Sequence, residues 1–377
     1  MKNTFCLLLL SLCPLFVSIV SAQNVSVKEQ LQPYIDSGEL PGIVTVIATK
    51  DKVLQIDTMG YADLETKRPM TPDTVFWMAS QTKQITAIAV MMLVEEGKVS
   101  LDEPVTTYLP ELKDLRVIAE KNEKQTVLVP PDKPITLRML LSHTAGTIDS
   151  TPFHQRHGMD SLPLDRALTT FIMTPLAHQP GTKYLYSGIG IEIAAMVVQR
   201  ISGIPFETFL EKRLFEPLGM KETSFWLTAE QINRLAKPYR WDKKIKKLTE
   251  TRITFNTYPL DNRTNRFPRG GGGLFSTPAD WVRIYQMFAG EGTFGGKRIL
   301  SPESVKEMRT KQTGDLPTNY GLGVHINGSV FGHGGSHGTN SKLDTNTGRI
   351  VQYFIQQEGL PKADEAQGIF MKTALAL

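Results

Sequence analysis

From Ile85 to Val94 every residue except Thr86 is apolar, so a helix over this stretch would be hydrophobic around nearly its whole circumference. Such a helix is stable only inside a core, covered on all sides. Gly97, after Glu95 and Glu96, supplies a stop. The rest of the chain must therefore fold around this segment. Its start makes it more than a core helix: Ser80-Gln81-Thr82-Lys83 follows directly on the apolar run Val75 to Ala79. A lysine entering a buried helix is out of place unless its amine has a use.

Residues three apart on a helix share a face, with roughly 5 to 6 Å between Cβ atoms, so the Lys83 amine can reach back to the Ser80 hydroxyl. A serine is a poor nucleophile near neutral pH and needs an adjacent base. Free lysine, with a pKa of about 10.4, is protonated there. For Lys83 to serve, its surroundings must bring it close to neutrality, which costs about 4 kcal/mol; desolvation by the helix that follows is the available cause. A serine three residues ahead of a lysine is a common accident. Here it is the one Ser-x-x-Lys of the sequence and it opens a buried helix, which makes Ser80 and Lys83 candidate nucleophile and base.

Residues 1–22 read as a secretory leader, with Lys2 as the positive start, Phe5 to Val20 apolar, and the small residues Ser21 and Ala22 before Gln23. The stretch contains Pro14 and is shorter than the roughly 20 residues that span a bilayer, so no stable membrane anchor is expected. Neither Cys6 nor Cys13 is preceded by the small residues of a lipid-attachment site. Both cysteines lie in the leader, so the exported chain has no disulfide and depends on its core. Residues 23–377 are enough for one large discontinuous domain or two packed ones. The formal charge of +4 becomes +3 without Lys2, too mild an excess to point to nucleic acid. The basic run Lys243-Lys244-Ile245-Lys246-Lys247 reads as a solvated hairpin face. Export implies a periplasmic or secreted protein, and nothing in the pattern speaks to oligomeric state.

Along the chain, Val27 to Ser37 reads as an amphipathic helix, and Ile43 to Ala48 and Val53 to Tyr61 as strands joined across Lys50-Asp51-Lys52. From Ser80 to about Leu218 the period is mostly helical, as in Leu164 to Thr174, Ile189 to Ile201 and Pro205 to Phe215. Strands return at Tyr320 to Ile326, Val330 to His333, Ser341 to Asp344 and Ile350 to Gln356, with a turn at Thr345 to Gly348 and a closing helix over Ala363 to Leu375. Strands at both ends with helices between them predict an α+β fold. One antiparallel sheet is assembled from both termini (23–79 and about 270–377), with flanking helices and an inserted, mainly helical part (about 80–269). Gly270 to Gly273 is too short for a spacer and reads as a place where backbones approach closely at the edge of a site.

Two further segments carry chemistry. Tyr184-Leu185-Tyr186-Ser187-Gly188 puts a tyrosine in a loop just before a helix, and Gly332-His333-Gly334-Gly335-Ser336 ends a strand with accessible backbone N–H groups. Each alone is an ordinary loop or turn. Gly334 to Gly338 also fits the Gly-x-Ser-x-Gly nucleophile elbow, but that fold needs an acid and then a histidine after the serine, and none follows His337. His154 and His157 have no Glu or Cys at ligand spacing and read as loop residues, and His143 reads as structural in a helix-ending turn. No metal is expected. Gly321-Leu322-Gly323 lacks the third glycine and following helix of a dinucleotide site, so no cofactor is expected.

Taken together these segments match a family. Phe76 to Lys83, Leu140 to Gly146, Pro180 to Ser187, Phe215 to Met220, Gly271 to Thr277 and Gly332 to Gly335 are six ordered blocks spanning nearly the whole chain after the leader. In them the sequence resembles the serine β-lactamase and penicillin-binding protein superfamily, in particular its branch of class C β-lactamases, D,D-carboxypeptidases, D-aminopeptidases and esterases. The resemblance implies a β-lactamase/transpeptidase-like fold, Ser80 as the acylated nucleophile, and Lys83 and Tyr186 sharing its proton relay. It implies His333 as a fourth catalytic position, in place of the lysine of the Lys-Thr-Gly motif. Gly334 and Gly335 would line the substrate, and backbone N–H groups of Ser80 and Ser336 would form the oxyanion hole.

Two departures from the family pattern bear on substrate. The Tyr-x-Asn motif reads Tyr186-Ser187-Gly188, so the amide that usually touches the acyl-side carbonyl and the lysine is missing. His333, with an ordinary pKa of about 6.5, is largely neutral at pH 7 where a lysine would hold a substrate carboxylate. Both favour hydrolysis of a small ester or amide, in the manner of an esterase or D-aminopeptidase. A penicillin-binding D,D-carboxypeptidase or β-lactamase acting on a peptide or β-lactam is the alternative, and Gly188 keeps open a non-catalytic ligand-binding protein on the same fold.

Overall fold

A computed structural model of the protein describes residues 26–253, 258–359 and 361–377; the leader expected over residues 1–22 lies outside them. Helix α1 (Val27–Asp36) opens with a capping box, in which the Ser26 hydroxyl accepts from the Glu29 N–H and the Glu29 carboxylate accepts from the Ser26 N–H. Strands β1 (Gly42–Ala48), β2 (Val53–Asp63) and β3 (Arg68–Pro69) follow. Helix α2 (Thr82–Glu95) is the apolar segment, ended by Gly97 at φ 67°. Helix α3 (Gly188–Ser202) lies in the middle of the chain and α4 (Pro278–Ala289) after the glycine run. Strands β4 (His325–Asn327), β5 (Val330–Gly334), β6 (Asn340–Asp344) and β7 (Arg349–Phe354) lead to the closing helix α5 (Pro361–Ala376).

The seven strands form one antiparallel sheet in the order β4-β5-β6-β7-β1-β2-β3, so the two ends of the chain meet at the β7–β1 pairing, where Val44 faces Phe354. This is the α+β arrangement expected. Every residue of β1 is buried because both faces of the sheet are covered. Alternation sends Ile43 and Ile47 into a core with Leu31, Val351, Tyr353 and Phe370, under α1 and α5. Val44, Val46 and Ala48 join the larger core on the other face, with α2, α3 and α4. Within that core α2 is buried from Thr82 to Leu93, as its all-round hydrophobicity requires.

The structure corrects several local readings. Tyr320 to Ile326 is a strand only from His325: Gly323 takes φ 70°, and a Cβ there would stand 2.8 Å from the Lys83 carbonyl oxygen and 3.0 Å from the Ala87 Cβ. The segment thus bends to pack on the first turns of α2 instead of extending the sheet. The mainly helical middle also holds two hairpins, Val117–Lys121 with Thr126–Val129 and Tyr239–Asp242 with Lys247–Glu250. The Lys243 to Lys247 run is exposed and forms the turn of the second up to Lys246, with Lys247 opening its return strand. The Pro205 to Phe215 helix is broken by a π turn at Glu211–Phe215, and His154 and His157 sit on a short helix, Pro152–His157, not in a loop.

Gly323→Ala is expected to lower unfolding free energy by about 1 to 3 kcal/mol, from a left-handed alanine and a contact with the α2 backbone. Urea denaturation followed by circular dichroism measures it; an unchanged midpoint would contradict this packing.

Candidate active site

Ser80, the candidate nucleophile, sits where a short bridge meets α2. Phe76–Trp77 pairs with Phe275–Ser276, and Ala79–Gln81 then forms a 3₁₀ turn that runs into the helix. Ala79 has φ 48°, a left-handed conformation costing an L residue about 1 to 2 kcal/mol. Its neighbours hold it there: Met78 N–H donates to the Leu274 carbonyl at 2.9 Å, Thr339 Oγ1 donates to the Met78 carbonyl at 3.3 Å, and Trp77 Nε1 donates to the Gly272 carbonyl at 2.7 Å. Strain confined by so many contacts is typical of functional turns.

One turn further, Lys83 is only 2% exposed. Its Nζ lies 3.1 Å from Ser80 Oγ and donates to the Gly271 carbonyl at 2.5 Å. Burial pushes its pKa from the ordinary lysine value down to about 7, with Arg269 acting in the same direction and Asp149 and Glu192 against it. Desolvation or a neighbouring positive charge can lower a lysine in this way; both act here, and desolvation is the larger.

The glycine run is the floor of the site. Gly270 and Gly271 N–H groups donate to the Glu192 carboxylate at 2.7 and 3.0 Å, and the Gly270 carbonyl accepts from Thr86 Oγ1 at 2.8 Å. A Cβ on Gly271 would meet Glu192 Oε1 at 2.9 Å, so the loop lies this close because it has no side chain. Glu192 is fully buried on α3, with its pKa raised by desolvation against the pull of Arg269, whose Nε is 3.7 Å away, and of the two N–H groups. A lone acid in the apolar run Ile189 to Val198 was the signal that could have found it.

Tyr186 closes the same space, its ring centroid 4.7 Å from Lys83 Nζ. Burial raises its pKa, with a hydrogen bond to Ser80 opposing, so it is a phenol at neutral pH. Its ring centroid is 6.2 Å from that of His333, which brings Ser80, Lys83, Tyr186 and His333 into one cluster. Gly335 packs on the turn that carries Ser80, where a Cβ would lie 2.5 Å from the Met78 carbonyl oxygen. Ser336 beyond it is exposed, and Gly334 is the last residue of β5.

His333 is held in a buried hydrogen-bonded row. Ser187 N–H lies 3.2 Å from His143 Nδ1, His143 Nε2 lies 3.2 Å from Tyr320 Oη, Tyr320 Oη lies 2.9 Å from His333 Nε2, and His333 Nδ1 lies 2.6 Å from the Gly334 carbonyl. The ends set its polarity, because a backbone N–H can only donate and a carbonyl can only accept. His143 therefore carries its proton on Nε2, Tyr320 donates to His333, and His333 carries its proton on Nδ1. Burial pushes both histidines well below their ordinary pKa and Tyr320 well above its own, so all three are neutral. His143, read from the sequence as structural, is part of this row, and Tyr320 carried no sequence signal.

Among the described residues no group of three or more His, Cys, Asp or Glu side chains is placed to hold a metal ion. A hydroxyl beside a buried amine, a phenol and a glycine-edged strand can carry nucleophilic acyl chemistry, and fold and site together define a serine hydrolase of the transpeptidase-like α+β class. A family model described as Beta-lactamase matches residues 27–376, and the chain belongs to that family. It is thus an enzyme, and the non-catalytic reading falls away. Protein Rv1367c of Mycobacterium tuberculosis is 32% identical, over 90% of this chain and 92% of its own. The lovastatin esterase of Penicillium rubens is 31% identical over 66% of this chain and 62% of its own. Among solved structures, a variant of the simvastatin synthase LovD from Aspergillus terreus shares the fold, with a TM-score of 0.77 at 23% identity over 93% of this chain and 94% of that one.

Tyr320→Phe leaves the His143 and His333 Nε2 atoms without their buried partner and is expected to cost about 1 to 3 kcal/mol. A urea midpoint equal to wild type would show that the row does not bear on stability.

Proposed function

We propose that Ser80 attacks the carbonyl of a small ester or amide and holds the acyl group until water releases it. The observation that carries this reading is the buried Lys83 amine, brought to about 7 and 3.1 Å from Ser80 Oγ. Near neutral pH much of Lys83 is the free amine and can take the Ser80 proton as Oγ attacks. Tyr186 keeps its proton because burial raises it, and supplies that proton to the leaving group. The Lys83 ammonium then reprotonates Tyr186, and deacylation runs the same transfers in reverse with water as nucleophile.

The Ser80 N–H opens the 3₁₀ turn, where the first N–H groups have no helical acceptor. With the Ser336 N–H it would hold the oxyanion, each donor stabilising the transition state by about 3 to 4 kcal/mol. Gly334 and Gly335 line the substrate. His333 acts here as a neutral positioning residue, since both ring nitrogens are engaged within the protein. Without a cation at this position, capture of a substrate carboxylate is weak, which favours an ester or simple amide over penicillin. The lovastatin esterase relation supports an ester. The reading includes export, carried by the leader before Gln23.

Intact-mass spectrometry after fluorophosphonate treatment is expected to show one adduct in wild type and none in Ser80→Ala. p-Nitrophenyl acetate turnover in that variant should fall at least about 10³-fold. A folded wild type that is neither labelled nor active would overturn the proposal. The active Lys83 is the unprotonated one, so kcat/KM is expected to fall as pH drops through about 7. A profile flat from about pH 5 to 8 would remove Lys83 as the base.

A further inference from the structure

Gly188 stands two residues after Tyr186, where the sequence departs from the family by lacking an amide side chain. The structure shows what fills that space. A Cβ on Gly188 would fall 2.5 Å from the Asp149 carbonyl oxygen and 3.1 Å from Asp149 Oδ1, so no larger residue fits and the volume belongs to Asp149. The Gly188 N–H donates to Asp149 Oδ1 at 3.0 Å. The loop carrying Asp149 is pinned: Ser187 Oγ contacts the Ile148 carbonyl at 2.7 Å and Thr147 Oγ1 at 2.8 Å, and Ile189 N–H reaches the Ile148 carbonyl at 3.4 Å.

Position and exposure make this carboxylate different from the other charges nearby. Lys83, Glu192 and Arg269 are buried, whereas Asp149 is exposed. Its Oδ1 is held by the N–H of Gly188, two residues after Tyr186, and its charge acts on both Lys83 and Tyr186, so it stands beside the Ser80, Lys83 and Tyr186 cluster. The negative charge a substrate meets on this side is therefore that of Asp149. An amide both donates and accepts hydrogen bonds, whereas a carboxylate only accepts. A substrate carbonyl next to the acyl group finds no donor in Asp149, while an ammonium there finds a charge-assisted partner. On the other side both His333 ring nitrogens are already engaged, so His333 supplies no cation to offset the preference.

We propose that Asp149 is the acyl-side specificity residue, selecting esters or amides whose acyl group carries an ammonium near the reacting carbonyl over those that present an acceptor or a carboxylate. This deepens the acyl-enzyme reading at Ser80 and rests on it. The nitrogen of a small amino-acid ester, one carbon from the carbonyl, meets the requirement, and acylating that nitrogen removes it.

The test compares kcat/KM for the 4-nitrobenzyl esters of D- and L-alanine with those of their N-acetyl and N-succinyl counterparts. The ratio between substrates cancels any loss common to all of them. Wild type is expected to favour the free-amine ester of at least one enantiomer by about tenfold or more, the scale of one charge-assisted hydrogen bond in a partly solvated cleft. Asp149→Asn should bring the ratio near one, and Asp149→Glu, which keeps the charge, should retain more of it. The wild-type ratio needs no variant to fold: preference for the N-acetyl or N-succinyl ester, or none, overturns the proposal. So does a wild-type ratio that persists in Asp149→Asn. Absence of both turnover and Ser80 labelling in wild type would overturn the acyl-enzyme reading, and this inference with it.

Discussion

An amine kept out of water is the condition on which the rest of this structure turns. A charged ammonium in a dry site costs several kcal/mol, so the group gives up its proton instead, and Lys83 is brought to about 7 in this way. Keeping water away requires α2 to be buried from its first turn, and therefore a core on every side of it. The amine still needs an acceptor, which the Gly271 carbonyl supplies. That carbonyl is in place because Glu192 holds the loop by two N–H groups, and Glu192 is a tolerable buried acid because those donors and Arg269 face it. Each element is a consequence of the one before.

The His333 side of the site is built on another principle. Three titratable side chains, His143, Tyr320 and His333, stand in one row and none is charged. A backbone donor at one end and a backbone acceptor at the other fix the direction of every hydrogen bond between them. Such a row binds three distant blocks of sequence into one rigid unit without an ion, and so leaves the field at Ser80 to Lys83, Arg269 and the acids around them.

Local patterns made part of this legible. Ser80 and Lys83 are three residues apart on one helix face, and their meeting follows from helical geometry. The strands at both ends have the right period, and β1 alternates between two cores as period two demands. Tyr186 was visible through the family blocks, since a tyrosine in a loop means little by itself. Asp149, Glu192 and Tyr320 were not assigned. Their partners lie 39, 78 and 13 residues away along the chain, and no short window contains both members of a pair. Tyr320 to Val324 was misread because its apolar residues suit a strand, whereas the left-handed Gly323 follows from a contact with α2.

By itself, then, the sequence determined what local geometry and burial can dictate: a hydroxyl beside an amine, an apolar helix that must be enclosed, and strands at both ends able to share a sheet. Tertiary structure decided the charge and aim of those groups. Only packing shows that Lys83 is dry, that the Gly271 carbonyl accepts its hydrogen bond, that His333 spends both nitrogens inside the protein, and that Asp149 occupies the space beside Gly188. The reason is physical: helical and strand periods act over a few residues, whereas desolvation and hydrogen-bond partnership depend on atoms brought together from segments far apart in the chain.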